Sequence, residues 1–352
     1  STVIYKKLLE LLGHEVVEPP VPSKRTIDLG VKYSPEFACF PLKVLMGSYI
    51  EALELGAETI VSSGGHGPCR AGFYGETHER ILKNLGYDVE VIIFDDYKND
   101  FKGTINKVQR VRNGKPLSEV YRAMKLVYNM AKSMDRVEKL IERTRAYEKN
   151  EGECTRLWES IQKRYSACES VEEVSKIEKE SVELIKAVPL NPVTTDRRIR
   201  IGIVGEIYVV MEQSINMKME EMLGRLGAEV ERSQYISEWI DFNLLPKWLS
   251  KPHELEILKL GEKYIEEIIG GHAKQNVGHI VDFAQRGFDG VVHLMPFACL
   301  PELISQSIIP AISKEMNIPV LSLSIDEQTG TANVQTRVEA FVDMIRSKKL
   351  KN

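Results

Sequence analysis

Apolar residues in the first hundred positions alternate between helical and strand rhythms. "YKKLLELLG" reads as an amphipathic helix ending on Gly13, and "HEVVEPP" as a short strand with proline punctuation. A helix at "PLKVLMGSYIEALELG", a strand at "ETIVSS", a helix at "YGETHERILKNLG" and a strand at "DVEVIIF" follow. Such alternation predicts a parallel sheet with right-handed crossovers. The chain opens on a helix where this pattern normally opens on a strand, so a leading strand upstream of Ser1 is expected.

Between about Gly114 and Pro189 the strand rhythm stops. "LSEVYRAMKLVYNMAKSMDRVEKLIERTRAYEKN" and "VEEVSKIEKESVELIKAV" place apolar residues three and four apart among dense charges. This is a helical insert whose charged faces are solvated or dock a partner. After the polar linker "LNPVTTDRR" the alternation resumes. The predicted strands are "IRIGIVG", "AEVERS", "DGVVHLMP" and "IPVLSLS". The predicted helices include "NMKMEEMLGRLG", "ISEWIDFNLLPKWL", "HELEILKLGEKYIEEIIGG", "VQTRVEAFVDMIRS" and "PELISQSIIPAISKEM", the last broken at Pro310. The expected architecture is α/β: two Rossmann-like parallel-sheet domains, residues 1–112 and 196–352, flanking a helical insert at 113–195.

A net charge of -4 offers no basic stripe for nucleic acid. With no 18-residue apolar run and no signal peptide, a cytoplasmic protein is expected, with no membrane partner. The five cysteines are an odd number in a chain too large to need disulfides, which points to metal ligation, redox chemistry or burial. Cys154 and Cys168 sit in the helical insert and read as ordinary helix residues.

The other three share a position. Cys39 in "FACFP" precedes a helix that starts at Pro41, and Cys299 in "FACLP" repeats the arrangement in the last domain. Cys69 ends the loop "SSGGHGPC" and enters the next helix through "RAGFYGE". Each thiol lies just before a helix N-terminus, where unpaired N–H groups and the helix dipole favour a negative charge by about 0.3–1 kcal/mol. Helix N-termini lower a cysteine's pKa toward the metal-binding thiolate, and α/β proteins gather ligand sites at strand carboxyl ends. Gly65 and Gly67 let the loop backbone approach a bulky group. His66 is a fourth ligand, a hydrogen-bonding neighbour or a plain loop residue. Spacing alone leaves open a Cys3His zinc site, an iron–sulfur cluster on three cysteines and three inert buried thiols. Around them, Glu206 follows the strand "IRIGIVG" and is a catalytic candidate together with His66, and Arg70 adjoins Cys69. Glu302 reads as a first-turn capping acid, and Asp326, Glu327, Arg337 and Glu339 as a structural ion-pair network. "GIVGEI" lacks dinucleotide-binding spacing and no P-loop is present, which ranks direct nucleotide binding last.

The run "SPEFACFPLKVLMGSYIEALELGAETIVSSGGHGPCRAGFYGE", with "HLMPFACLPE" and "PVLSLSIDEQTGTANVQTRVEAFVDM", resembles the 2-hydroxyacyl-CoA dehydratase superfamily, in particular its single-chain, CoA-substrate-specific branch. The resemblance implies a 4Fe-4S cluster held by Cys39, Cys69 and Cys299 in the cleft between two Rossmann-like domains. It also implies a partner, an ATP-dependent activator with its own iron–sulfur cluster that delivers low-potential electrons one at a time. An acyl-CoA or other small molecule would be the substrate, turned over by a dehydratase-like lyase or a reductase component; homo-oligomerisation stays open. The alternatives are a cluster or metal carrier in protein maturation and a Cys3His zinc protein.

Overall fold

The computed structural model describes residues 2–64, 69–94, 101–194, 197–245, 253–267 and 269–351. The chain begins with α1 (Thr2–Leu11), α2 (Lys24–Tyr33) and α3 (Phe40–Glu54), then β1 (Thr59–Ser63), α4 (Tyr74–Asn84), β2 (Glu90–Phe94) and α5 (Phe101–Val111). β1 and β2 pair in parallel, Thr59 opposite Glu90 through Ser63 opposite Phe94. "HEVVEPP" is not a strand: Val16 and Val17 lie in irregular chain. Among the described residues no strand runs beside them to complete a ladder, and Pro19, Pro20 and Pro22 have no N–H to give one.

The helical segment comprises α6 (Leu117–Arg145), α7 (Glu153–Ala167) and α8 (Val171–Lys186). Their three-and-four spacing buries Met130, Ile141, Ile161, Tyr165 and Ile185 in a common core. Ser170 starts α8 by accepting the Glu173 N–H at 3.2 Å. α1 contributes Ile4 to this same core and so packs with the helices rather than with β1 and β2.

The last part runs β3 (Ile199–Gly205), α9 (Ile207–Met211), α10 (Met219–Arg225), β4 (Ala228–Arg232), α11 (Ile236–Asn243), α12 (Glu254–Glu262) and α13 (Ala273–Gln285). It continues through β5 (Gly290–Pro296), α14 (Leu300–Met316), β6 (Val320–Ile325) and α15 (Thr331–Lys351). The four strands pair in parallel in the order β4-β3-β5-β6. One face carries Ile201, Ile203, Val292 and Leu294 against Val338, Phe341 and Val342 of α15. The other carries Val204 and Val291 against Val277, Ile280 and Phe283 of α13 and Ile309 and Ile312 of α14. Burial on both faces explains why the central strands β3 and β5 are nearly continuous apolar runs, whereas the edge strands β4 and β6 alternate. The sheet is doubly wound, and its order reverses between β3 and β5. α13 carried a legible signal in Val277, Ile280, Val281 and Ala284 at helical spacing.

α14 runs unbroken through Pro310. Pro310 has no N–H to give the carbonyl of Gln306, but Gln306, Ser307 and Pro310 are exposed to solvent, while Ile309 and Ile312 anchor the helix in the core. α6 lies over β4: Arg232, 5% exposed, is ringed by Glu220 at 3.1 Å, Glu142 at 3.5 Å and Glu138. α3 bridges the two sheets. Phe40 and Val44 join the core of the four-stranded sheet, and buried Lys43 pairs with Glu327 at 2.7 Å.

Candidate functional site

The switch point between β3 and β5 places two loops side by side. β3 ends at Gly205 and passes to Glu206; β5 ends at Pro296 and passes through Phe297 and Ala298 to Cys299. Gly205 has φ +149, and a Cβ there would stand 2.0 Å from the Leu294 carbonyl oxygen, so only glycine fits here. The Glu206 N–H donates to that same carbonyl at 3.1 Å. Ala298 adopts φ +60, a left-handed conformation that costs an alanine about 1–2 kcal/mol. Strain of this kind concentrates at functional turns.

All three cysteines are N-cap residues with extended backbone. Cys39 caps α3 and Cys299 caps α14, each followed by proline in the first helical turn, and Cys69 caps a short 3-10 turn at Arg70–Phe73 that leads into α4. The thiols come within electrostatic reach of one another: Cys39 acts on both Cys69 and Cys299, and Glu206 acts on all three. Gly271, in the loop before α13, ties two of them together. A Cβ there would meet the Pro301 ring at 2.6 Å and the Cys69 sulfur at 3.7 Å.

Burial decides the ionisation of these thiols. It pushes Cys39, Cys69 and Cys299 upward, outweighing the Leu42, Ala71 and Glu302 backbone N–H groups that pull them down. The expectation of lowered values from the helix N-termini is therefore reversed. Desolvating a thiolate costs more than one helix turn returns, so these sulfurs ionise readily only beside a cation. Among the described residues no three His, Cys, Asp or Glu side chains are spaced to hold a single metal ion. Cys154 and Cys168 are buried in the helical core, away from this site.

The surrounding groups divide by role. The Glu206 carboxylate caps α9, accepting the Val209 N–H at 3.0 Å, and burial raises its pKa to about 7, with Glu302 adding to the rise. The Arg70 guanidinium donates to the Phe37 carbonyl and lies 5.9 Å from the Phe37 ring, joining the Cys69 loop to the Cys39 loop. Phe37, Phe73 and Phe297 stand beside the cysteines and are 74%, 66% and 62% exposed. Gly65, His66 and Gly67 lie outside the described residues.

Glu302 is more than a capping acid. Fully buried, it accepts from Asn276 Nδ2 at 2.9 and 2.8 Å and meets His293 Nε2 at 2.7 Å. Asn276 Oδ1 accepts the Gly205 N–H at 3.0 Å, and His293 Nδ1 contacts the Ser322 hydroxyl at 3.1 Å. One network thus joins the end of β3 and the middles of β5 and β6 to the first turn of α14. The signal for it was a lone histidine inside the apolar strand "GVVHLMP", which needs a buried partner. Tyr74, whose hydroxyl is 2.6 Å from the Cys39 sulfur, was also missed. Asp326, Glu327, Arg337 and Glu339 do not form one network. Asp326 accepts from Gln328 and Thr329, Glu327 pairs with Lys43, Arg337 donates to the Ser322 carbonyl, and Glu339 accepts from Gln335.

No curated protein matches the chain. The family model described as 2-hydroxyglutaryl-CoA dehydratase, D-component, matches residues 117–345, from the first residue of α6 into α15 and across well over half of the chain. With the α/β fold and its parallel sheets, that match agrees with the resemblance carried by the cysteine motifs: the chain belongs to the 2-hydroxyglutaryl-CoA dehydratase D-component family.

Proposed function

We propose that this chain is the iron–sulfur component of a dehydratase-type system, with Cys39, Cys69 and Cys299 holding a 4Fe-4S cluster. The observation that carries the reading is the placement of three sequence-distant N-cap cysteines, with Cys39 within electrostatic reach of both Cys69 and Cys299 and Glu206, at the switch point, acting on all three. Buried sulfurs that resist ionisation without a cation suit a metal centre, and the backbone N–H of Leu42, Ala71 or Glu302 beside each can hydrogen-bond a ligated sulfur. In a cluster each thiolate binds its own iron, so the three need not converge on one point. A mononuclear zinc site needs that convergence.

Such a cluster supplies low-potential one-electron chemistry. In this reading the electrons come from an ATP-dependent activator carrying its own iron–sulfur cluster, and the substrate is an acyl-CoA or a comparable small molecule. The exposed rings of Phe37, Phe73 and Phe297 offer an apolar rim for that partner beside the site. Glu206 holds a proton near neutral pH and is the acid–base candidate. Among the described residues no helix is long and apolar enough to cross a membrane, and a cytoplasmic location belongs to the same proposal.

Anaerobic purification or reconstitution tests the assignment. About four irons per chain are expected, lost on Cys39→Ser, Cys69→Ser or Cys299→Ser and kept on Cys154→Ser and Cys168→Ser. A colourless protein with stoichiometric zinc, or iron retained in all three site variants, overturns it.

A further inference from the structure

α4 turns two side chains four residues apart, Tyr74 and His78, toward the first turn of α3, and that spacing puts them on one helix face. The Tyr74 hydroxyl lies 2.6 Å from the Cys39 sulfur, and His78 Nε2 lies 3.0 Å from the carbonyl oxygen of Leu42, three residues after Cys39. His78 is fully buried, and its ring meets Tyr74 at 5.8 Å and stands edge-on to Tyr49 at 5.1 Å between centroids. Burial lowers its pKa to about 4. The ring is therefore neutral at physiological pH, with the Nε2 proton donated to the Leu42 carbonyl. This clamp holds the capping turn of α3 against α4 and keeps the phenol on the sulfur. Among the described residues no side-chain donor reaches the sulfur of Cys69 or Cys299, so the environments of the three thiols are unequal.

We propose that Tyr74 is a positioning residue that donates its hydroxyl proton in a hydrogen bond to the Cys39 sulfur, aiming that sulfur and drawing negative charge from it when it ligates iron. A thiolate carries no proton, so a hydroxyl in contact with a charged sulfur is the donor. The proposal rests on the reading of Cys39 as a cluster ligand. Hydrogen bonds to ligand sulfurs help set cluster potentials by stabilising the more negative, reduced state. Bonds to charged groups are worth at least about tenfold in an equilibrium.

Two measurements on wild type and Tyr74→Phe separate the bond from the cluster. In the iron-free, reduced protein, the infrared S–H band assigned to Cys39 by its loss in Cys39→Ala should move in Tyr74→Phe; an unmoved band overturns the bond. In the reconstituted protein with equal iron content, the potential should become more negative by the equivalent of about tenfold, about 59 mV for one electron. 3-Fluorotyrosine placed at position 74 alone, a stronger donor, should shift it the other way. A potential unmoved in both variants overturns the tuning. A wild-type protein that takes up no iron refutes the cluster reading underneath, and the S–H band then decides the hydrogen bond by itself.

Discussion

Replacing Glu302 tests whether the buried network behind Cys299 holds the switch point together. In Glu302→Ala the Nδ2 group of Asn276, which reaches both carboxylate oxygens at 2.9 and 2.8 Å, loses its acceptor. His293 Nε2, at 2.7 Å, loses its partner as well. Neither can turn to water, since Asn276, His293 and Glu302 are all fully buried. Each stranded group costs about 1–3 kcal/mol, so the alanine variant should lose about 2–6 kcal/mol. Asn276 cannot flip to compensate, because its oxygen is committed to the Gly205 N–H at 3.0 Å. Glu302→Gln should behave differently. Its carbonyl can accept from Asn276 while its amide donates to His293 Nε2, provided that the imidazole moves its proton to Nδ1 and donates to the Ser322 hydroxyl, now 3.1 Å away. One amide N–H is left over, for a cost of about 1–2 kcal/mol. Urea unfolding measures the two losses, and nitrogen-15 NMR of the imidazole reads the tautomer, Nε2–H in wild type and Nδ1–H in Glu302→Gln. An alanine variant within about 1 kcal/mol of wild type, or a glutamine variant as damaged as the alanine one, would refute the reasoning.

Gly205→Ala should be at least as severe, by about 3 kcal/mol or more, because the new Cβ falls 2.0 Å from a backbone oxygen at φ +149; a thermal melt matching wild type would contradict that. Arg232→Met should cost about 3–5 kcal/mol near neutral pH by stranding Glu138, Glu142 and Glu220. The loss should shrink as acid protonates those carboxyls, and chemical denaturation at two pH values checks both. Glu206 titrates near 7 in the folded protein against 4.5 ordinarily, so its stabilising contribution is whole below about pH 4.5 and fades as pH rises through 7. Glu206→Gln should therefore gain on wild type between pH 5 and 8.5, by up to about 3 kcal/mol; parallel stability curves would exclude the shift.

The sequence alone determined the α/β alternation, because burial of a sheet on both faces demands apolar runs such as "GVVHLMP" and "IRIGIVG" whatever the packing around them. It also located Cys39 and Cys299 at helix starts, since a proline two residues on can begin a helix but cannot continue a strand, and Cys69 at the entry to a helix by its place between a strand and "RAGFYGE". The two strands of the first sheet were legible in "ETIVSS" and "DVEVIIF"; that "HEVVEPP" would not join them was not, because it has strand composition and only a neighbouring strand could have made it one. Pro310 misled for the same reason: its cost depends on whether the freed carbonyl faces water, which here it does. Tertiary structure alone decided the ionisation of the thiols. Helix termini act locally and can be read from order in the chain, whereas desolvation depends on what covers a residue. Phe40 shows the difference: it follows Cys39 in the first part of the chain, yet it is buried in the core of the four-stranded sheet. The partners of Glu302 and the approach of Tyr74 to Cys39 also come from elements far apart in sequence. Packing brings such groups together, and no local pattern of residues records it.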